Sequence, residues 1–311
     1  MRKLLIIIPV VLILMECDSI INSENHSKKI GKIVFTANNK SGIKQIYIMD
    51  DNGTNIIQLT SMKTCDNPTF FDNGRKIIFT SGTKGISLGP AIWIMDSDGN
   101  NKNNIYLSDT ANKHLPYLIG RRPEINSYDT KLIYYLYSNY SFKNDIYLYN
   151  LETQKNIKIT NLKGDNIKPT WSPKGNKIAF ISDMDYLNLD TLRFRQDIYV
   201  LNLNNQKLDR VTYKGFVETL LWDHSGKFIY FRSMNNKSGI YKVNLETKNI
   251  SLICEDLKNG NVKIYPQSIS ESGNQLLIST YAPNNPDKNR IAILNICILQ
   301  DKNLALCKKK V

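Results

Sequence analysis

Asp197-Ile198-Tyr199-Val200-Leu201-Asn202 is one copy of a phrase that runs through the whole chain. Earlier copies read Gln45-Ile46-Tyr47-Ile48-Met49-Asp50, Ala91-Ile92-Trp93-Ile94-Met95-Asp96 and Asp145-Ile146-Tyr147-Leu148-Tyr149-Asn150. Later copies read Gly239-Ile240-Tyr241-Lys242-Val243-Asn244 and, degraded, Arg290-Ile291-Ala292-Ile293-Leu294-Asn295. Successive isoleucines stand 46, 54, 52, 42 and 51 residues apart. A period in that range marks a repeat architecture, in which each unit buries its apolar face only against a neighbour.

The unit around this copy resolves into four strands. Lys168-Pro169-Thr170-Trp171-Ser172 reads as the first, and Pro173-Lys174-Gly175-Asn176 as a turn, with proline pre-setting φ and glycine free to take positive φ. Lys177–Ser182 alternates as a second strand, Asp197–Leu203 is a β-branched and aromatic third, and Lys207–Thr212 is the fourth. Asn67–Gly74 and Leu221–Gly226 repeat the first strand and turn, while Gln58-Leu59-Thr60, Lys158-Ile159-Thr160 and Arg210-Val211-Thr212 repeat the ending. Six such units predict an all-β fold: a six-bladed β-propeller of four-stranded antiparallel blades over residues 31–307, with a basic tail at 308–311.

Length alone would allow two domains, but the repeat unites the 311 residues into one body. Hydrophobic residues make up 41%, with 17 Tyr and 10 Phe, enough for a sizeable core. The formal charge of +13 comes mostly from lysines scattered over turns. Without arginine clusters interleaved with exposed aromatics, that pattern points away from nucleic acid and towards a solvated surface or attraction to acidic partners.

The Trp171–Gly175 turn, the Ile-Tyr-x-x-Asp/Asn strand and the Leu-Thr ending resemble the TolB-type β-propeller repeat. The resemblance implies the fold strongly and an activity weakly, because such propellers serve as binding scaffolds, as accessory domains and occasionally as enzymes. The founding member of that family carries an α/β domain ahead of its propeller. Here only residues 18–31 separate Cys17 from the first expected strand, so the expectation is a relative of that protein rather than its equivalent. The first unit opens on Lys32–Thr36, which matches a second strand, and the segment Asp18–Lys29 is expected to lie at or near the open inner edge.

At the N-terminus, Arg2 and Lys3 precede an apolar run, Leu4–Met15, too short to span a bilayer and suited to a signal-peptide core. Together with Leu14 and Cys17 it resembles a bacterial lipoprotein signal. The resemblance implies removal of residues 1–16, lipidation of Cys17 and a tether over 17–30, so that acyl chains hold the body at a membrane surface outside the cytoplasm. An ordinary signal peptide is the other reading. Cys297 and Cys307 flank a turn at Asp301–Asn303 and either form a disulfide across a hairpin or stay reduced as small apolar residues.

Connections between the second and third strands vary, and function concentrates on variable loops carried by a rigid scaffold. The longest, Asp183–Arg195, supplies a candidate partner-binding set: Asp183, Asp185, Tyr186, Asp190, Arg193, Phe194 and Arg195. The alternative is a solvated loop whose apolar residues cover its own blade. The loop lacks the EF-hand pattern for calcium, and no nucleophile-elbow motif is present. With no catalytic residues, metal ligands or cofactor indicated, the reading is a non-catalytic, membrane-tethered scaffold that binds an envelope protein. A binder or sensor of glycan or another small ligand is the second reading, and a propeller hydrolase or lyase the third.

Overall fold

The structure, a computed structural model, describes residues 31–82, 90–105, 120–138, 143–186, 195–213, 215–234, 237–256, 262–269, 273, 275–281 and 290–295. The expected disulfide partners Cys297 and Cys307, the expected lipidation site Cys17, the segment 18–29 and loop residues Asp190, Arg193 and Phe194 lie outside them.

The strands form successive antiparallel sheets, each a meander in chain order. The first holds β1 (Lys32–Asn38), β2 (Lys44–Asp50) and β3 (Ile57–Gln58). The second holds β4 (Cys65–Phe71), β5 (Lys76–Ser81), β6 (Ala91–Asp96) and β7 (Asn103–Asn104). The third comprises β8 (Arg121–Ile125), β9 (Lys131–Ser138), β10 (Lys143–Asn150) and β11 (Asn156–Lys158). The fourth comprises β12 (Asn166–Trp171), β13 (Lys177–Ser182), β14 (Asp197–Asn202) and β15 (Leu208–Arg210). The fifth has β16 (Val217–Trp222), β17 (Phe228–Ser233), β18 (Gly239–Asn244) and β19 (Ile250–Glu255). The last has β20 (Lys263–Ile269), β21 (Gln275–Tyr281) and β22 (Arg290–Asn295).

The expected ring of six four-stranded blades needs correction. Four sheets carry four strands; among the described residues the first lacks an inner strand and the last an outer one. Buried cores join neighbouring sheets at five places, from Ile46, Cys65 and Phe79 between the first two to Tyr230, Ile264 and Leu276 between the last two. A closed six-bladed ring needs six such cores. Among the described residues five such cores are present, so the propeller shows five packed blades rather than the expected closed ring of six.

The repeated phrase is the third strand of each unit, and its register explains its composition. Its aromatic residue lies directly opposite an aromatic on the second strand: Phe35–Tyr47, Phe79–Trp93, Tyr134–Tyr147, Phe180–Tyr199 and Phe231–Tyr241 all stack, with ring centroids 5.6–6.3 Å apart. Such pairs add to sheet stability beyond the area they bury. In the degraded copy Ala292 faces Ile278 instead. The closing Asp or Asn caps the following turn. Asn150 Oδ1 accepts from the amides of Glu152 and Thr153, and Asn244 Oδ1 from those of Glu246 and Thr247. In the Ser172–Gly175 turn the Gly175 amide donates to Ser172 O at 2.8 Å, with Gly175 at φ 63°.

Candidate binding site at the loop-bearing end

The opening residue of the phrase and the threonine that ends the fourth strand form a buried unit. Thr60 Oγ1 donates to Gln45 Oε1 at 2.7 Å, Thr160 Oγ1 to Asp145 Oδ1 at 3.0 Å, and Thr212 Oγ1 to Asp197 Oδ1 at 2.6 Å. Each threonine oxygen also accepts the amide that follows, from Ile46, Ile146 and Ile198, at 2.9–3.0 Å. A buried polar side chain must be paired, and here the pair ties the end of the unit back to its third strand. The device stands at the end of the sheet from which the long second-to-third-strand connections leave.

In the fourth sheet this anchor extends into the long loop. Arg210 donates to Asp185 Oδ2 at 2.8 Å, to the Tyr186 hydroxyl at 2.7 Å and to Asp197 Oδ2 at 2.6 Å. The Tyr186 hydroxyl donates to the same Asp197 oxygen at 2.5 Å, and Tyr199 donates to Asp185 Oδ2 at 2.6 Å. Burial and the Asp197 carboxylate push the Tyr186 phenol up to about 12, so it remains a donor. Asp183 turns inward as well: its Oδ1 accepts the Asp165 amide at 2.7 Å, and burial pushes its carboxyl above the usual range.

Cations and rings alternate beside this network. The Arg195 guanidinium lies 5.7 Å from the Phe216 ring and 5.8 Å from that of Tyr186. The Arg210 guanidinium lies 5.2 Å from Tyr186 and 4.8 Å from Tyr213, whose ring is exposed. All four distances fit cation–π attraction, which strengthens where water is excluded. Gly215, at φ 70°, lets the chain pass Arg195, because a Cβ there would sit 3.0 Å from the arginine Cγ. Of the seven candidate loop residues, the structure therefore places Asp183, Asp185, Tyr186 and Arg195, and packs all four against the blade. Their partners Arg210 and Phe216 carry no signal in the sequence, because they sit beside strand ends remote from the loop.

The inner strands hold a second group. β4, β8, β12, β16 and β20 each bulge, with register shifts between Asp66 and Thr69, Arg121 and Glu124, Ile167 and Thr170, Val217 and Thr219, and Pro266 and Ser268. Three bulges are built on Asn67-Pro68, Arg122-Pro123 and Lys168-Pro169, where proline breaks the hydrogen-bond ladder. Asn67, Arg122 and Lys168 take φ of 54°, 49° and 52°.

These bulges aim side chains across the central channel. Arg122 Nη1 donates to Thr219 Oγ1 at 3.4 Å, from the third sheet to the fifth, and the Lys168 ammonium donates to the main-chain oxygen of Glu218. Burial, then the Arg122 charge, bring the Lys168 amine down to about 8. The Glu218 carboxylate is held by Arg232 Nε at 2.5 Å. Arg232, fully buried, also forks onto Asp256 at 2.5 and 2.8 Å and donates to Ile264 O at 3.1 Å. Glu124 accepts from Thr170 Oγ1 at 3.0 Å and the Trp171 amide at 2.9 Å, yet burial pushes its carboxyl up to about 7. Among the described residues no group of three or more His, Cys, Asp or Glu is placed to hold a metal ion.

Residues 91–306 match the family described as the TolB beta propeller domain. The chain belongs to the TolB β-propeller domain family. Its TolB-type sequence is 30% identical over 154 residues to the protein TolB homolog of Chlorobium chlorochromatii, covering 49% of this chain and 31% of that one. It is 28% identical over 165 residues to the Tol-Pal system protein TolB of Francisella tularensis, covering 52% of this chain and 32% of that one. The matched part thus spans about a third of the length of these TolB relatives. Among solved structures, TolB from Acinetobacter baumannii superposes with a TM-score of 0.59 at 18% identity, over 85% of this chain and 63% of that one. Oligogalacturonate lyase from Vibrio parahaemolyticus superposes with a TM-score of 0.53 at 14% identity, over 86% and 87%. At these identities the likeness shows the TolB-type fold and leaves chemistry to the residues.

Proposed function

We propose that this chain is a non-catalytic binding module of the cell envelope, held outside the cytoplasm by a lipid on Cys17 and engaging an envelope protein through its loop-bearing end. The match of residues 91–306 to the TolB propeller family carries the reading, supported by relatives named for the Tol-Pal system. The leader and Cys17 support export and tethering. The loop containing Asp183, Asp185, Tyr186, Asp190, Arg193, Phe194 and Arg195 is the proposed contact surface. Its described part is braced by Arg210 and Asp197, and a braced loop loses little conformational entropy on binding. The test is purification of tagged protein from gently cross-linked native envelopes, followed by mass spectrometry. Recovery of one or two envelope proteins in stoichiometric amount, lost on substitution of Arg193 and Phe194, is the expected result. Recovery of none overturns it.

A second reading, a glycan or small-ligand binder, is favoured by one observation: the exposed Tyr213 ring ends the series of rings and guanidiniums. Aromatic faces of that kind suit sugar rings. A carbohydrate array separates the two readings, because a saccharide hit abolished by Tyr213→Ala supports the second alone.

A further inference from the structure

We propose that the central channel holds an oxyanion site built from Arg122 and Lys168, and that it takes a carboxylate. The site goes beyond the envelope reading and does not depend on which partner the loops engage.

Arg122 and Lys168 stand at equivalent bulges of adjacent inner strands and both reach towards the bulge of the fifth sheet, Arg122 to Thr219 Oγ1 and Lys168 to Glu218 O. Two like charges held this close raise each other's cost, and the Arg122 charge contributes to depressing the Lys168 amine. Among the described residues neither cation has an ion pair. The nearby carboxylates act on the two cations only through space, Glu218 on Lys168 and Glu124 on Arg122, and their oxygens are held by other groups. Glu218 and Asp256 are both taken by Arg232, and Glu124 is enclosed by Thr170 and Trp171.

The geometry adds to this. Charges held on inner strands and partly shielded from water act on a ligand more strongly than they would in bulk solvent. The two cations sit on strained left-handed bulges rather than on flexible loops, so their positions are set before a ligand arrives. The Thr219 hydroxyl supplies a third donor at the same level. A guanidinium fork, an ammonium and a hydroxyl together match the donor needs of a carboxylate, whose two oxygens accept up to four bonds. The bulges lie close to the loop-bearing end, since Val217 pairs with Ser233 and Asn166 with Ser182 at the strand termini. An acidic side chain or chain terminus entering from that end would meet the pair first.

The test is isothermal titration of the purified protein with two probes at low salt: sodium acetate, and a short peptide carrying a C-terminal carboxylate flanked by Glu. The proteins compared are the parent, Lys168→Met, Arg122→Met and, as a control, Lys227→Met, which removes a charge from an exposed turn. Folding of each is checked by its melting curve. Lys168→Met relieves a buried charge, so it is expected to keep or raise stability. Saturable binding that weakens by about tenfold or more in both channel variants and not in Lys227→Met is expected, as for loss of a charged hydrogen bond. Binding of the peptide without acetate assigns the site to a protein carboxylate, and binding of both assigns it to small carboxylates as well. Absence of saturable binding by either probe, or binding indifferent to Lys168 and Arg122 substitution, overturns the proposal, whatever the envelope capture returns.

Discussion

Thr212 Oγ1 donates to Asp197 Oδ1 at 2.6 Å while accepting the Ile198 amide at 3.0 Å, so one hydroxyl closes the fourth unit onto its own third strand. The same carboxyl oxygen accepts the Gly215 amide at 3.1 Å, and the other takes Arg210 and Tyr186. One buried carboxylate therefore organises a strand end, a connection and a loop. Thr212→Val keeps the shape and strands both partners without water. We expect a loss of about 1–3 kcal/mol, read from urea midpoints at an unchanged slope. An unaltered midpoint would mean the threonine is dispensable.

Tyr186 belongs to the same network, which separates two roles for it. Tyr186→Phe removes the hydroxyl from Asp197 and Arg210 and keeps the ring between the guanidiniums of Arg195 and Arg210. It should cost about 1 kcal/mol of stability. Tyr186→Ala removes both and should cost more. If partner capture survives Tyr186→Ala while stability drops, the residue braces the loop and does not touch the partner.

Glu124 predicts a pH dependence. Its folded carboxyl is raised to about 7, largely by burial, above the ordinary glutamate value. Between those values the unfolded chain has released a proton that the folded chain retains. The stabilisation is therefore complete below the unfolded pKa and fades as pH rises through about 7, by up to about 3 kcal/mol. Glu124→Gln keeps an acceptor for Thr170 and Trp171 without the charge. Its melting temperature relative to the parent should climb between about pH 4.5 and 7 and then level off. Parallel pH profiles would show that Glu124 titrates normally.

Gly239 opens the fifth copy of the phrase, where the third and fourth copies have aspartate. Writing the repeat back in is expected to fail. A Cβ at this position would lie 2.2 Å from the Cys254 carbonyl oxygen and 2.9 Å from Glu255 Cα, both main-chain atoms. Gly239→Ala should therefore cost at least about 1–3 kcal/mol, and Gly239→Asp more, in thermal or denaturant unfolding. In this sheet Arg232 has taken over the ionic role, pairing with Asp256 and Glu218.

The sequence by itself determined the all-β architecture, because the phrase recurs with its aromatic, its closing Asp or Asn and its Thr ending, each with a local job. The aromatic stacks on the neighbouring strand, the amide caps a turn and the threonine ties off the unit, all through contacts of short range in sequence. The same copies suggested six complete blades, since a degraded phrase still counts as a phrase. Whether units pack depends on cores formed between sheets, and among the described residues those number five. The long loop is visible as a candidate, but its bracing by Arg210 and Phe216 is not, because those residues are read locally as strand ends and connections. Only the tertiary structure brought Arg122 and Lys168 into one channel. Forty-six positions apart and each followed by an unremarkable proline, they become neighbours through bulges that rotate their side chains inward, and charge proximity has no signature along the chain.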